Sequence, residues 1–190
     1  KDVTIPLLGK HNIQNALASF CVAKGLKIPD NEIKKAFISY KGVKRRFSIL
    51  FNNSLNMIID DYAHHPKEID STLKSLRAIT KKKIISIFEP HRYSRIQGMT
   101  DDFISCFVKS DYIYILPIYG AGEVNKKNIN NEFLANLMNK KLKKKISAVK
   151  NQESFFKELK KIISPGDNII FMGAGLSSKI AEKFSVFFQN

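Results

Sequence analysis

Tryptophan is absent, cysteine is confined to Cys21 and Cys106, and acidic residues are scarce, with 17 Asp and Glu against 32 Lys and Arg. Two cysteines so far apart, each in an apolar helical pattern, make no disulfide framework; they are expected to be buried free thiols in a reducing, cytoplasmic compartment. No apolar run approaches the roughly 20 residues that cross a bilayer, and no signal peptide opens the chain, so no membrane partner is expected. Neither a G-x-x-x-x-G-K-[ST] phosphate loop nor a G-x-S-x-G elbow occurs, which argues against a self-contained P-loop site and an acyl-transfer serine. The four histidines, His11, His64, His65 and His91, fit no HExxH or Cys/His spacing. No metal ligands are therefore assigned.

What is present is a folded-protein composition, 44% hydrophobic and 26% charged over 190 residues, enough for one domain or one domain plus part of another. The chain starts at Lys1 and enters mid-pattern, which suggests a piece of something longer. The +15 charge is almost all lysine. Runs such as Lys81 to Lys83 and Lys140 to Lys145 lack the interleaved aromatics of a stacking platform, so they read as solvated faces. A basic α/β module that binds nucleic acid is the alternative, and it predicts steeply salt-dependent binding to any duplex.

The chain converges on Leu55 to Glu68, LNMIIDDYAHHPKE. Leu55, Met57, Ile58 and Ile59 are too short an apolar run for a helix and read as a buried strand. Asp60, Asp61, Tyr62, His64 and His65 follow at once, and Pro66 suits the first turn of a helix whose positive end favours Glu68. In open α/β sheets ligands sit beyond the carboxyl ends of strands, where this pattern puts the acids, the phenol and the imidazoles. A solvated turn with capping aspartates is the competing reading, but a cap needs one acceptor, not a row of ionisable groups.

Upstream, a helix from Gly9 to about Gly25 places Ile13, Ala16, Leu17, Phe20 and Cys21 on one stripe. A second helix, capped by Asp30, carries Ile33, Phe37 and Ile38 inward. At the start of the first stand His11, Asn12 and Asn15, the asparagines on one face. A side-chain amide can pair with adenine's N7 and N6 edge, and equally Asn12 can cap the helix. Gly42 then breaks the helix, and Lys44, Arg45 and Arg46 concentrate charge where a domain boundary is expected, as a phosphate contact or as a surface linker.

From Phe47 the periodicity changes. FSILF, a turn at Asn52-Asn53-Ser54 and LNMIID read as a hairpin. Helices at 67–80, 100–109, 130–139, 152–163 and 177–187 then alternate with strands at 83–88, 112–116, 146–149 and 168–172. The pattern predicts an α/β, mostly parallel sheet with helices on both faces and an antiparallel edge hairpin. Further loops leave strand ends. EPHRYSR brings Glu89, His91, Arg92 and Arg95 around Tyr93, a set suited to a carboxylate or phosphate or else to a surface turn. PIYGAGE offers close backbone approach at Gly120 and Gly122 and an acceptor in Glu123. GAGLSS is a weak dinucleotide-like signal, adequately explained by Ser177 as a helix cap.

Taken in order, GKHNIQNALA, GVKRRF, IIDDYAHHPKEI, FEPHRYSR and IYGAGE resemble the Mur ligase superfamily across essentially the whole chain. Within it the close similarity is to the branch that joins L-alanine to UDP-N-acetylmuramate; a muramyl-tripeptide ligase shares the Asp-Asp-aromatic-AHHP segment, but FEPHRYSR looks like the alanine-adding branch. The resemblance implies that residues 1–46 end a central ATP-binding domain as a helical remnant and that 47–190 form the carboxy-terminal Rossmann-like ligase domain. It implies ATP contacts at His11, Asn12, Asn15, Arg46 and Asp61, the last on the ribose. It places Tyr62, His64, His91, Arg92 and Arg95 around the amino acid and muramoyl substrate, with His64 and Arg95 nearest the chemistry. The implied reaction activates the muramoyl carboxylate with ATP as an acyl phosphate, which the amine of alanine attacks. Mg2+ ligands, the phosphate loop and the uridine-binding domain are expected in upstream domains outside these residues, so the chain alone is not expected to turn over ATP.

Overall fold

The computed structural model describes residues 2–53 and 55–189, with the side chains of Lys10 and His11 outside the description. Helices α1 (Lys10–Gly25) and α2 (Asp30–Ser39) come first. Then follow β1 (Ser48–Asn52), β2 (Met57–Asp61), α3 (Pro66–Ile79), β3 (Ile84–Phe88), α4 (Tyr93–Gly98), α5 (Thr100–Ser105) and β4 (Tyr112–Ile115). The chain continues through α6 (Asn131–Leu142), β5 (Lys145–Ala148), α7 (Gln152–Ile162), β6 (Asn168–Met172) and α8 (Ser177–Gln189). The strands form one sheet in the order β1-β2-β6-β3-β4-β5. β1 runs antiparallel to β2 and every other pairing is parallel, the expected α/β class with its edge hairpin. Ser54, in the turn expected at 52–54, lies outside the described residues; beside it Asn53 Oδ1 accepts from the N–H of Leu55 at 2.9 Å and of Asn56 at 2.6 Å.

The central strands are apolar on both faces because helices cover both. In β3, Ile84 and Phe88 join a cluster with Leu73, Phe103 and Leu134, while Ile85 and Ile87 face Phe155, Leu159 and Phe184 from α7 and α8. Burying each such side chain contributes about 1.5–3 kcal/mol. This alternation also aligns the strand exits. Asp61 pairs with Met172, and Phe88 pairs with the same Met172 from the other side. Gly173 N donates to Asp61 O at 3.2 Å and Glu89 N to Met172 O at 2.8 Å, so three loops leave the sheet side by side.

Several local expectations are corrected. The single helix at 100–109 is instead α5, ending at Ser105, and a separate short α4 forms inside the segment read as a loop; the break falls at Met99, where φ is −133°. Asp30 does not cap α2 but is its first residue, because extended Pro29 takes the cap position and its carbonyl accepts from Ile33 N at 3.1 Å. Asp30 accepts instead from Lys24 Nζ at 2.7 Å. The α1 stripe does not face a core: Ile13 and Leu17 are 60% and 61% exposed and Cys21 is exposed, since α1 leans on α2 rather than on the sheet. Ile38 also points outward. Cys106 is buried as expected, and burial pushes its thiol pKa far up. Among the described residues no helix is long and apolar enough to cross a membrane.

Candidate active site

Strand β2 ends in two buried carboxylates with different tasks. Asp61 turns back on the backbone: Oδ2 accepts from Phe47 N and Oδ1 from Ala63 N, both at 2.7 Å. Asp60 faces α8, accepting from Ser178 Oγ at 2.7 Å with Arg45 Nε at 3.6 Å. Burial raises both pKa values, opposed at Asp60 by the Ser178 hydroxyl and Arg45 and at Asp61 by the two backbone N–H groups and Arg46. Asp61 thus ties the 45–47 junction to the exit of β2. Tyr62 N donates to Arg45 O at 2.6 Å, and the guanidinium carbons of Arg45 and Arg46 lie 4.9 and 5.6 Å from the Tyr62 ring centroid.

A cavity of about 840 Å³ opens between α1, α2, the junction and the first turns of α3. Asn12, Asn15, Arg46 and Asp61 all line it, with Phe37, Tyr40 and Phe47 giving apolar wall and Lys67 a cation. Four residues separated by up to 49 positions in sequence therefore meet at one space. Asn12 is not a helix cap, since its Nδ2 donates to Leu8 O at 2.7 Å and the α1 N-cap is Gly9 without a side-chain bond. His11 sits in the first turn of α1, but its side chain lies outside the described residues.

The helix that follows β2 is started by the histidines. His65 caps α3, Pro66 is its first residue, and Glu68 Oε2 reaches back to accept from the N–H of His64 at 3.1 Å and of His65 at 3.2 Å. Burial works against the Glu68 charge, but those two N–H groups and the His64 ring outweigh it and leave its pKa lowered. His64 Nδ1 stands 2.9 Å from Tyr62 O and 3.5 Å from Glu68 Oε2. A carbonyl oxygen only accepts, so Nδ1 carries a proton, and in the neutral ring Nε2 keeps its lone pair.

From His64 a chain of rings crosses the strand exits. Tyr62 to His64 and His64 to His91 are each 5.1 Å between centroids, and His91 to Tyr119 is 5.5 Å. Burial lowers the His91 pKa, and the charges of His64, Arg95 and Arg92 lower it further, against Glu123. His91 Nδ1 and Arg95 Nη1 are buried with no protein partner. Such atoms are costly unless something else fills the bond. Arg92 is less committed to this group: half-exposed, its guanidinium lies 3.8 Å from Glu123, which also accepts from Ser94 N at 3.0 Å and Ser94 Oγ at 2.6 Å.

Sequence reasoning missed how Glu89, Arg45 and Tyr119 serve the site. Glu89 is buried against the GAGLSS backbone, and Ser177, taken as a cap, is instead the first residue of α8 with its N–H 3.3 Å from Glu89 Oε2. The signal available was a carboxylate directly after an apolar strand in a chain that also holds an unassigned glycine loop. Among the described residues no three His, Cys, Asp or Glu side chains converge on a point that would hold a metal ion.

Residues 45–175 match the profile described as Mur ligase, glutamate ligase domain. The UDP-N-acetylmuramate–L-alanine ligase of Rickettsia bellii is 41% identical over 194 residues, covering 100% of this chain and 41% of the relative. That of Sinorhizobium medicae is 37% identical over 175 residues, covering 92% and 37%. The crystal structure of the UDP-N-acetylmuramate-alanine ligase of Thermotoga maritima superposes with a TM-score of 0.80 at 27% identity, over 98% of this chain and 40% of that one. The chain spans about two-fifths of the length of these relatives, 41% of the first. A matched segment that starts at Arg45 and takes in every strand-exit loop of the ring chain places this protein in the Mur ligase family.

Proposed function

We propose that this chain is the carboxy-terminal part of an ATP-dependent ligase joining L-alanine to UDP-N-acetylmuramate. In this reading residues 1–46 close the central ATP-binding domain and 47–190 form the ligase domain. The observation that carries it is continuity between two sites. Asp61 and Glu68 line the cavity, and Glu68 also bonds the backbone of His64, the ring that starts the path to His91 and Arg95.

The cavity's chemistry fits a nucleotide. Asn12 and Asn15, with His11, would hold the adenine edge, the remaining lone pairs of Asp61 would accept from a ribose hydroxyl, and Arg46 supplies a positive charge toward phosphate. ATP, when bound, supplies the phosphoryl group that activates a carboxylate. On the other side, His91 Nδ1 and Arg95 Nη1 are buried without a protein partner, and an anionic substrate group would fill their bonds, with Tyr62 and Arg92 at the margins. His64 and Arg95 are nearest the reacting atoms: the guanidinium stabilises the charge that develops on the acyl phosphate as the amine attacks its carbonyl carbon and phosphate leaves, and His64 Nε2 is placed to take a proton from the incoming amine. Among the described residues no three His, Cys, Asp or Glu side chains converge to hold Mg2+, and in this reading its ligands come from the upstream domains.

Calorimetric titration tests this. ATP is expected to bind the chain in a way that Asn15→Ala and Asp61→Ala each weaken about tenfold, with phosphate release at background because no phosphate loop is present. ATP binding indifferent to both substitutions overturns the assignment.

A further inference from the structure

The GAGLSS segment at the exit of β6 has the amide-rich backbone of a phosphate cradle, but its amides already hold an anion supplied by the chain. Glu89 Oε2 accepts from Gly175 N at 2.8 Å and Ser177 N at 3.3 Å, and Oε1 accepts from Leu176 N at 2.8 Å. A Cβ on residue 175 would lie 2.8 and 2.9 Å from the two Glu89 oxygens and 2.9 Å from Tyr119 Cγ, so glycine is what lets the carboxylate and the phenol ring close on this backbone. From the opposite side Arg45 Nη2 donates to Gly173 O at 2.6 Å.

Glu89 leads directly into the substrate-facing segment. Pro90 O accepts from Tyr119 N at 2.8 Å, and Arg92 N donates to Tyr119 O at 2.9 Å. The stitched segment therefore carries His91 against the Tyr119 ring, followed by Arg95 one turn into α4. Glu89 anchors one end of it. At the other end lie His91 Nδ1 and Arg95 Nη1, two of the buried side-chain atoms without a hydrogen-bond partner.

We infer that Glu89 is a positioning residue: seated on the amides of Gly175, Leu176 and Ser177, its carboxylate sets where His91 and Arg95 meet an anionic substrate group. The identity of that group rests on the ligase reading above; the clamp does not. A side chain of equal bulk without an acceptor fills the same space and keeps the packing, but leaves the three amides unheld and the His91 segment free to shift.

The experiment uses the isotope-labelled full chain, unaltered and as Glu89→Leu and Glu89→Gln, with inorganic phosphate as the probe and NMR of the His91 ring as the readout. In the unaltered chain the Gly175 and Leu176 amides exchange with solvent as slowly as those of β6. Glu89→Leu weakens phosphate binding at His91 by roughly fivefold or more, moves the His91 titration upward as the ring gains solvent, and leaves ATP affinity at the Asn15 and Asp61 cavity unchanged. Glu89→Gln, which keeps one carbonyl oxygen for Gly175 and Ser177, falls between. A folded Glu89→Leu chain with unchanged phosphate affinity and His91 titration overturns the inference. Fast exchange of the Gly175 and Leu176 amides in the unaltered chain does so too, and decides the matter if the leucine variant does not fold. If the unaltered chain binds neither phosphate nor ATP, the ligase reading fails, while amide exchange and the His91 titration still judge the clamp.

Discussion

His91 is where the site's electrostatics are most exposed to measurement. Its imidazole is partly buried and faces His64, Arg95 and Arg92, so its charged form is disfavoured from several directions and favoured by Glu123. The ring is expected to titrate below the ordinary 6.5 and to be neutral at physiological pH, able to hydrogen-bond an anion without itself competing for a counterion. Replacing Arg95 with Met removes one like charge, and the His91 midpoint is expected to rise in an NMR titration. An unchanged midpoint would separate Arg95 from the ring. At this scale the sequence was readable where chemistry is carried by rare residues. Arginine occurs at five positions only, and two of them fall beside His91. It was unreadable where a side chain's task is set by a distant backbone, as with Glu89 and the amides near position 176.

The element that converts these residues into a site is α3, and its start is a reciprocal cap. Glu68 satisfies the N–H groups of His64 and His65, and the His65 side chain accepts from Lys67 N at 3.3 Å. Glu68→Ala is expected to cost about 0.5–2 kcal/mol, read from urea melts. The cost depends on pH with a definite sign. Since the folded pKa of Glu68 lies below its ordinary 4.5, the contribution is present above that value and disappears as pH falls through the folded pKa, so variant and unaltered chain converge in acid. Pro66 at the first helical position was legible from the AHHPKE string, whereas α4 was not: six residues are too few for periodicity to register. The α1 stripe was legible as a helix but not in its packing, because a period states that a face is apolar without stating what covers it.

For the molecule as a whole, the alternation of strands and helices disclosed the sheet, its parallel sense and the edge hairpin, since a strand followed by a crossover helix leaves few arrangements. Strand order was beyond it, because nothing local marks which two strands a third will separate. The +15 charge acts at this scale as well. Any association with duplex DNA is expected to weaken steeply and without sequence preference as salt is raised, and to be indifferent to Asp61→Ala, whereas the ATP binding proposed above is expected to weaken on that substitution. Filter binding across a salt series against calorimetry of the same protein distinguishes a general lysine surface from the proposed nucleotide cavity. The seat of β6 between β2 and β3 carries one more implication, for how the polypeptide reaches its native state. Until residues 168–172 arrive, the hairpin and the β3-β4-β5 ribbon are two separate pieces with raw edges turned toward each other. A chain cut short before Asn168 would be poised for self-association, and β6, made last of these six strands, is the one that welds the halves together.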